Sequence, residues 1–375
     1  MEEKLLKFIK YNKKEKGNKE NKTYLDSIAK YANLIRKGNL DHIYYNYEIK
    51  NPKISFITPI FNKEKYLESL ILSIQYQYVE EFEIIFIDDC STDNSIKIIN
   101  EFSKNDCRIK FIKNKINKGT LYSRSQGALK SKGEYIIFID SDDLVLQEGL
   151  NNSYNYIQKT KLSMVQFNSI YQKENKLRLN MNYYKYDIII RQPMLSCIFY
   201  YNERTKKGKE LNTALWDKLI KRETAIKAVN FIGKDYYNEE IKIENDVILL
   251  FSIFQIADSY QYINETGYLY VLTNNDSITN SWKFPDIASS VIHGVFVNIK
   301  FLYEKTKNFY LYKLFAIYKL QQSYKRYNIC FEKAKKEYKF IKNVLKILFN
   351  SPYISNHDKK IVHNITLSLY LLYHH

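Results

Sequence analysis

The chain has 375 residues, 45% of them hydrophobic, and a formal net charge of +17 at pH 7; this allows two to three domains of about 150 residues each and excludes a disordered chain. The basic residues favour acidic partners but are scattered among Glu and Asp, so nucleic acid is not an expected partner. Cys90, Cys107, Cys197 and Cys330 show no CxxC spacing and no neighbouring His pairs, which argues against a zinc site or a disulfide framework and for a reducing compartment.

Residues 1–50 are highly charged. "MEEKLLKFIKYNKKEKG" has no apolar h-region and does not read as a secretory signal, and "LDSIAKYANLIRKG" (Leu25 to Gly38) has helical spacing with a Gly stop. A different texture begins at Pro52. "ISFITPIF" (Ile54 to Phe61) reads as a buried strand, "KEKYLESLILSIQYQ" as a helix and "FEIIFIDD" (Phe82 to Asp89) as a strand. "TDNSIKIINEFSK" reads as a helix with Thr92 or Asp93 as N-cap. "RIKFIKN" (strand), "GTLYSRSQGALKSK" (helix) and "EYIIFID" (strand) follow, and "LSMVQFNSI" (Leu162 to Ile170) is a further strand after one more helix. Strand and helix alternate in units of about 25 residues, the βαβ pattern of a mostly parallel α/β sheet, and the continuous apolar strands require cover on both faces.

Tyr171 to Lys209 is polar and irregular, in keeping with an acceptor-side loop or lid. "ALWDKLIKRETAI" (Ala214 to Ile226) and "ENDVILLFSIFQIA" (Glu244 to Ala257) read as helical, and "YLYVL" (Tyr268 to Leu272) as a short strand. From Phe284 onward helical spacing dominates. Its mix of Lys and aromatic residues suits peripheral contact with a membrane surface, although a helical extension packed on the domain is the stronger expectation. No apolar run approaches the roughly 18 residues of a membrane span. A cytoplasmic protein, peripheral to a membrane at most, is expected. The predicted organisation is a lead-in over 1–50, an α/β domain over 51–283 in two halves (51–170 and 171–283), and a helical extension over 284–375.

Two carboxylate clusters fall at carboxyl ends of predicted strands, where open α/β sheets bind ligands: Asp88 with Asp89, and Asp140 with Asp142 and Asp143. Clustered carboxylates repel one another and are costly to desolvate. Asp-x-Asp after a strand suits Mg²⁺ or Mn²⁺, which takes one or two carboxylates and completes its shell with phosphate oxygens and water. A phosphatase with a strand-borne DxDx(T/V) nucleophile is an alternative, but Leu144 stands two past Asp142 and the motif follows several strands rather than opening the domain. A non-enzymatic binding module is another. "DDCSTDNSIKII" lacks the central Gly and twelfth-position Glu of a calcium loop, and no GxxxxGK[ST] is present. No His lies near these motifs to support a Ser-His-Asp arrangement.

In order, "ISFITPIFNKEKYLESLILSIQYQ", "FEIIFIDDCSTDNS", "NKGTLYSRSQGALKSKGEYIIFIDSDD" and "WDKLIKRE" resemble family 2 glycosyltransferases, over roughly Pro52 to Thr279. The resemblance implies a GT-A (Rossmann-like) fold and inverting, metal-dependent transfer from a nucleotide-diphospho-sugar, UDP-linked by preference, to a glycan or lipid-linked acceptor, with Mn²⁺ or Mg²⁺. The alternatives are a member that binds nucleotide sugar or glycan without transfer and, behind it, the phosphatase. Carried onto matching positions, the resemblance places Thr58, Pro59 and Phe61 near the base, and Asp89, with Asp88 as sharer, on base or ribose. It places Arg124 in the nucleotide pocket, Asp140 and Ser141 at the DxD motif towards the ribose, and Asp142 with Asp140 on the metal. "IENDVILLF" resembles the family's "GEDxxF" segment, which makes Asp246 the catalytic base, with Glu244 and Asn245 beside it on the acceptor side. The same three residues suit a helix N-terminus, where acids are favourable. Trp216 is read either as support beneath the acceptor site or as core. Val271 stands where an Arg near the diphosphate is common.

Overall fold

The computed structural model describes residues 45–173, 176–180, 189–191, 214–238 and 245–271, with 297, 298, 301, 304 and 305. The expectations for the lead-in before residue 45, for most of the C-terminal extension and for Glu244 lie outside these residues.

Among the described residues ten strands form one sheet, in the order Ile109–Lys113 (β3), Phe82–Asp88 (β2), Ile54–Ile60 (β1), Tyr135–Phe138 (β4), Lys218–Lys221 (β9), Met164–Lys173 (β6), Ser259–Val271 (β10) and Leu144–Val145 (β5), with Lys176–Asn180 (β7) on β6 and Ile190–Arg191 (β8) on β10. At its centre are β1 (Ile54–Ile60), β2 (Phe82–Asp88) and β4 (Tyr135–Phe138). Every residue of β2 and β4 is buried, which is why their sequences are unbroken apolar runs rather than alternating ones. Parallel pairing sets Ile54 opposite both Phe82 and Tyr135, and Ile60 opposite Asp88. β3 (Ile109–Lys113) extends this parallel half on the far side of β2. All four strands therefore end at one edge, and Asp88, Asp140 and Asp142 share it.

The helices in order are α1 (Glu64–Gln75), α2 (Ser95–Asn105), α3 (Thr120–Lys130), α4 (Gln147–Thr160), α5 (Arg222–Ile232) and α6 (Asn245–Ile256). α3 lies on β1 and β2 and also touches α5 and α6. Gly127 allows this: a Cβ there would collide with the side chains of Ile57 and Ile87, so a bare backbone brings Arg124, one turn earlier, down to the sheet edge. Gly149 does the same for α4, where a Cβ would meet the backbone of Thr266 on β10.

Beyond β4 the sheet is mixed rather than mostly parallel. β9 (Lys218–Lys221) runs antiparallel to both β4 and β6 (Met164–Lys173), and β10 (Ser259–Val271) runs parallel to β6. Three local expectations change. Ala214 to Ile226 is not one helix: Ile220 pairs with Ile136 and Met164, and α5 starts only at Arg222. Both periods fit so short an apolar run, and a slot between two strands decided it. β10 is thirteen residues long, not a short strand at Tyr268; register shifts between Tyr262, Thr266 and Tyr268 hide its continuity. The segment after Tyr171 is not wholly irregular, since β6 continues and pairs antiparallel with β7 (Lys176–Asn180), while β8 (Ile190–Arg191) pairs with β10. β5 (Leu144–Val145), straight after the carboxylates, closes against Leu269 and Tyr268.

Candidate active site

The first two strand-to-helix turns are stapled together. Asn62, in the left-handed region at φ 53°, donates its N–H to Ser91 Oγ (3.0 Å) and accepts the Thr92 N–H on Oδ1 (2.8 Å). Asp93 accepts the Ser95 N–H on one oxygen and the Glu64 N–H on the other, at 3.0 and 2.9 Å. It thus serves the first turns of two helices, whereas the residue at the cap position of α2 is Asn94, one past Asp93 and two past Thr92, the predicted N-caps. Thr58 is fully buried with an Oγ that has no hydrogen-bond partner; Pro59 is half-buried and Phe61 is 49% exposed.

The two acids after β2 differ. Asp89 accepts the N–H groups of Lys118 (2.8 Å) and Gly119 (2.7 Å) and the Asn114 amide (2.9 Å). Its carboxylate is occupied in closing the loop before α3, which turns at Gly119, φ 83°. Asp88 accepts one N–H, from Ser91 at 3.0 Å, and its other oxygen is buried without a partner. A buried acceptor lacking a donor is costly. Of the two, Asp88 keeps an unfilled acceptor.

Arg124 is the centre of the arrangement. It is buried on α3, donating from Nη2 to Asp140 Oδ1 at 2.6 Å and from Nη1 to Asn245 Oδ1 at 2.8 Å and to Asp246. One guanidinium therefore joins the end of β4 to the start of α6. Burial alone would lower the Arg124 pKa, but Asp246 and Asp140 hold it above its usual value. Burial also pushes the Asp140 carboxyl up; Arg124 opposes this, and the charges of Asp246 and Asp142 add to it. Asp142 takes Lys63 Nζ at 2.8 Å. Ser141, between them, is buried. Asp143 points elsewhere: it accepts the Tyr268 hydroxyl (2.7 Å) and the Val271 N–H (2.8 Å). Burial, with Asp142 and Asp140 nearby, raises its carboxyl well above the carboxylate range. Val271 thus serves this site through its backbone.

Trp216 belongs to the core. It is buried, stacked on Tyr268 at 4.6 Å and on Tyr270 at 5.5 Å. Behind it Asp217 and Lys218 form a fully buried pair at 2.5 Å, with Gln166 donating to Asp217 at 2.8 Å and Lys218 donating to Ala214 O at 2.7 Å. Sequence reasoning singled out neither this pair nor Lys63. Lys63 directly follows the "TPIFN" turn, and only that position could have flagged it.

Asp140 and Asp142 suit a hard divalent cation that arrives with phosphate. Among the described residues no group of three or more His, Cys, Asp or Glu could hold a metal ion, so these residues offer no closed cage. Two carboxylates, with phosphate oxygens and water completing the shell, match Mg²⁺ or Mn²⁺. Burial raises Asp140 most, and the charges of Asp246 and Asp142 add to it; such a cation would relieve that added repulsion.

Residues 55–226 match the family model for glycosyl transferase family 2. An uncharacterized glycosyltransferase of Haemophilus influenzae is 40% identical over 117 residues, 31% of this chain and 47% of that protein. Glycosyltransferase GlyG of Streptococcus pneumoniae is 28% identical over 224 residues, 58% of this chain and 70% of that one. The first of these matches thus spans about half of the relative's length. The crystal structure of S. aureus TarS 1-349 in complex with UDP-GlcNAc superposes with a TM-score of 0.57 at 15% identity, covering 86% of this chain and 89% of that one. The shared architecture is the expected GT-A fold.

Proposed function

We propose that this chain, whose residues 55–226 match the model for glycosyl transferase family 2, is an inverting, metal-dependent glycosyltransferase moving a sugar from a nucleotide-diphospho-sugar to a glycan or lipid-linked acceptor. A UDP-linked donor is favoured by the UDP-GlcNAc complex of the structural neighbour TarS. The observation that carries the reading is the Arg124 bridge, which sets a donor-side carboxylate, Asp140, and a candidate base, Asp246, on one guanidinium.

Asp140 and Asp142 would hold Mn²⁺ or Mg²⁺, which when bound neutralises charge on the diphosphate leaving group. Thr58, Pro59, Phe61 and Asp88 line the nucleotide side, and Asp89 keeps the loop at Gly119 closed beside it. Arg124 fixes the direction of Asp246 by taking its Oδ1. The second oxygen of Asp246 accepts the proton of the acceptor hydroxyl as that oxygen attacks the anomeric carbon from the face opposite the leaving group. Asn245, held by the same guanidinium, fixes the first turn of α6. The buried Asp217–Lys218 pair and the Trp216 stack give β9 and β10 the rigidity that keeps these groups in place.

The test is donor hydrolysis, with water as acceptor, beside equilibrium binding of the same donor. Asp246→Asn should bind donor as the wild type does and lose turnover. Unchanged turnover would refute the base assignment and turn attention to Glu244.

A further inference from the structure

Lys63 reaches across from the turn after β1 to the second DxD carboxylate, 79 positions away. Its backbone is fixed. Its N–H donates to Ser95 Oγ at 2.9 Å, on a serine with no exposed surface, and its carbonyl accepts the first N–H groups of α1, from Tyr66 and Leu67 at 3.0 and 3.2 Å. Asn62 before it and Glu64 after it are pinned to the neighbouring turn. A long, entropically costly side chain is thus launched from a rigid point. It keeps 17% of its surface exposed and Asp142 keeps 16%, a partly desolvated pair in which the charge matters more than in open water.

The site's charges show what this cation does. Asp140, Asp142 and Asp246 contribute three negative groups; Arg124 and Lys63 supply the positive ones. Arg124 is held by two carboxylates and an amide. Lys63 has one carboxylate partner, and that partner is the residue assigned to a divalent cation. Two cations cannot share one carboxylate oxygen without repulsion, so a metal on Asp142 displaces the ammonium. A diphosphate brought by that metal would offer an anion to the displaced ammonium, whose four-carbon stem starts from a held backbone. No arginine is available at Val271, whose N–H is given to Asp143.

We propose that Lys63 is a donor-site exchange cation: it neutralises Asp142 in the empty enzyme, yields Asp142 to the divalent metal, and then binds the donor diphosphate. This rests on the glycosyltransferase reading. It makes two expectations of opposite sign for Lys63→Met, which keeps the aliphatic stem and removes the charge. Mn²⁺ binding without nucleotide should tighten, by about threefold to tenfold, because the competitor is gone. Binding of UDP at saturating Mn²⁺ should weaken by about tenfold, the scale of one charge-assisted hydrogen bond. Lys63→Arg should restore UDP binding to within about threefold. A purely structural role would weaken both together.

The experiment is calorimetric titration of the full chain with Mn²⁺ alone and with UDP, GDP and dTDP at saturating Mn²⁺, for wild type, Lys63→Met and Lys63→Arg, with melting temperatures recorded alongside. Wild type that binds a nucleotide while Lys63→Met binds it equally well, or binds Mn²⁺ more weakly, overturns the exchange role and leaves the donor reading standing. Wild type that binds none of the three nucleotides overturns the donor reading and the exchange role together.

Discussion

Three carboxylates carry the proposed chemistry. Asp140 and Asp246 share Arg124, and Asp142 stands apart with Lys63. Their substitutions should therefore separate. Asp246→Asn keeps donor binding and lowers turnover by about 100-fold or more, the usual worth of a positioned general base; hydrolysis and binding measured on one sample check it. Asp142→Ala removes one of the two carboxylates proposed to hold the metal and should abolish the Mn²⁺ dependence of nucleotide binding, read as equal UDP affinity with Mn²⁺ and with EDTA. The carboxylates could be found in the sequence because acids straight after apolar strands are unusual enough to ask for a reason. Lys63 could not, because one lysine among 58 basic residues carries no pattern until its partner is seen. Trp216 left two readings open, and the structure shows it buried and stacked on Tyr268 and Tyr270.

The elements that carry the site owe their placement to close backbone approach. α4 sits on β10 with Gly149 against the Thr266 carbonyl. Gly149→Ala gains about 1 kcal/mol of helix propensity, but backbone on the far side cannot yield as a side chain does. The expected net loss is about 1–3 kcal/mol, read as a lower urea midpoint with an unchanged slope; equal or higher stability would show that the two elements separate freely. At this scale the sequence was legible where one signal ran unopposed. β1, β2 and β4 are apolar throughout because both faces are covered, and α1, α2 and α3 follow as the crossovers of a parallel sheet. Legibility failed where tertiary pairing chose between periods, as at β9, and where bulges broke the alternation, as along β10. The β6–β7 hairpin was hidden by polar residues at its outer edge, which no local pattern marks as paired.

For the whole molecule, the parallel half of the sheet gathers the residues proposed for the nucleotide side at one edge, and β9 joins it antiparallel through β4 to β6 and β10. Arg124 joins the end of β4 to the start of α6. No helix among the described residues is long and apolar enough to cross a membrane. The central claim, that this edge binds a nucleotide-diphospho-sugar with a divalent cation, is tested most directly by the melting temperature of the full chain with UDP-, GDP- and dTDP-sugars, with Mn²⁺ and with EDTA. A ligand at a hundred times its Kd adds about 2.7 kcal/mol to the folded state, a rise of about 5 °C or more for domains of this size. The expected result is that rise with a UDP-sugar and Mn²⁺, lost in EDTA. A folded sample whose melting temperature none of the three donors moves would contradict it.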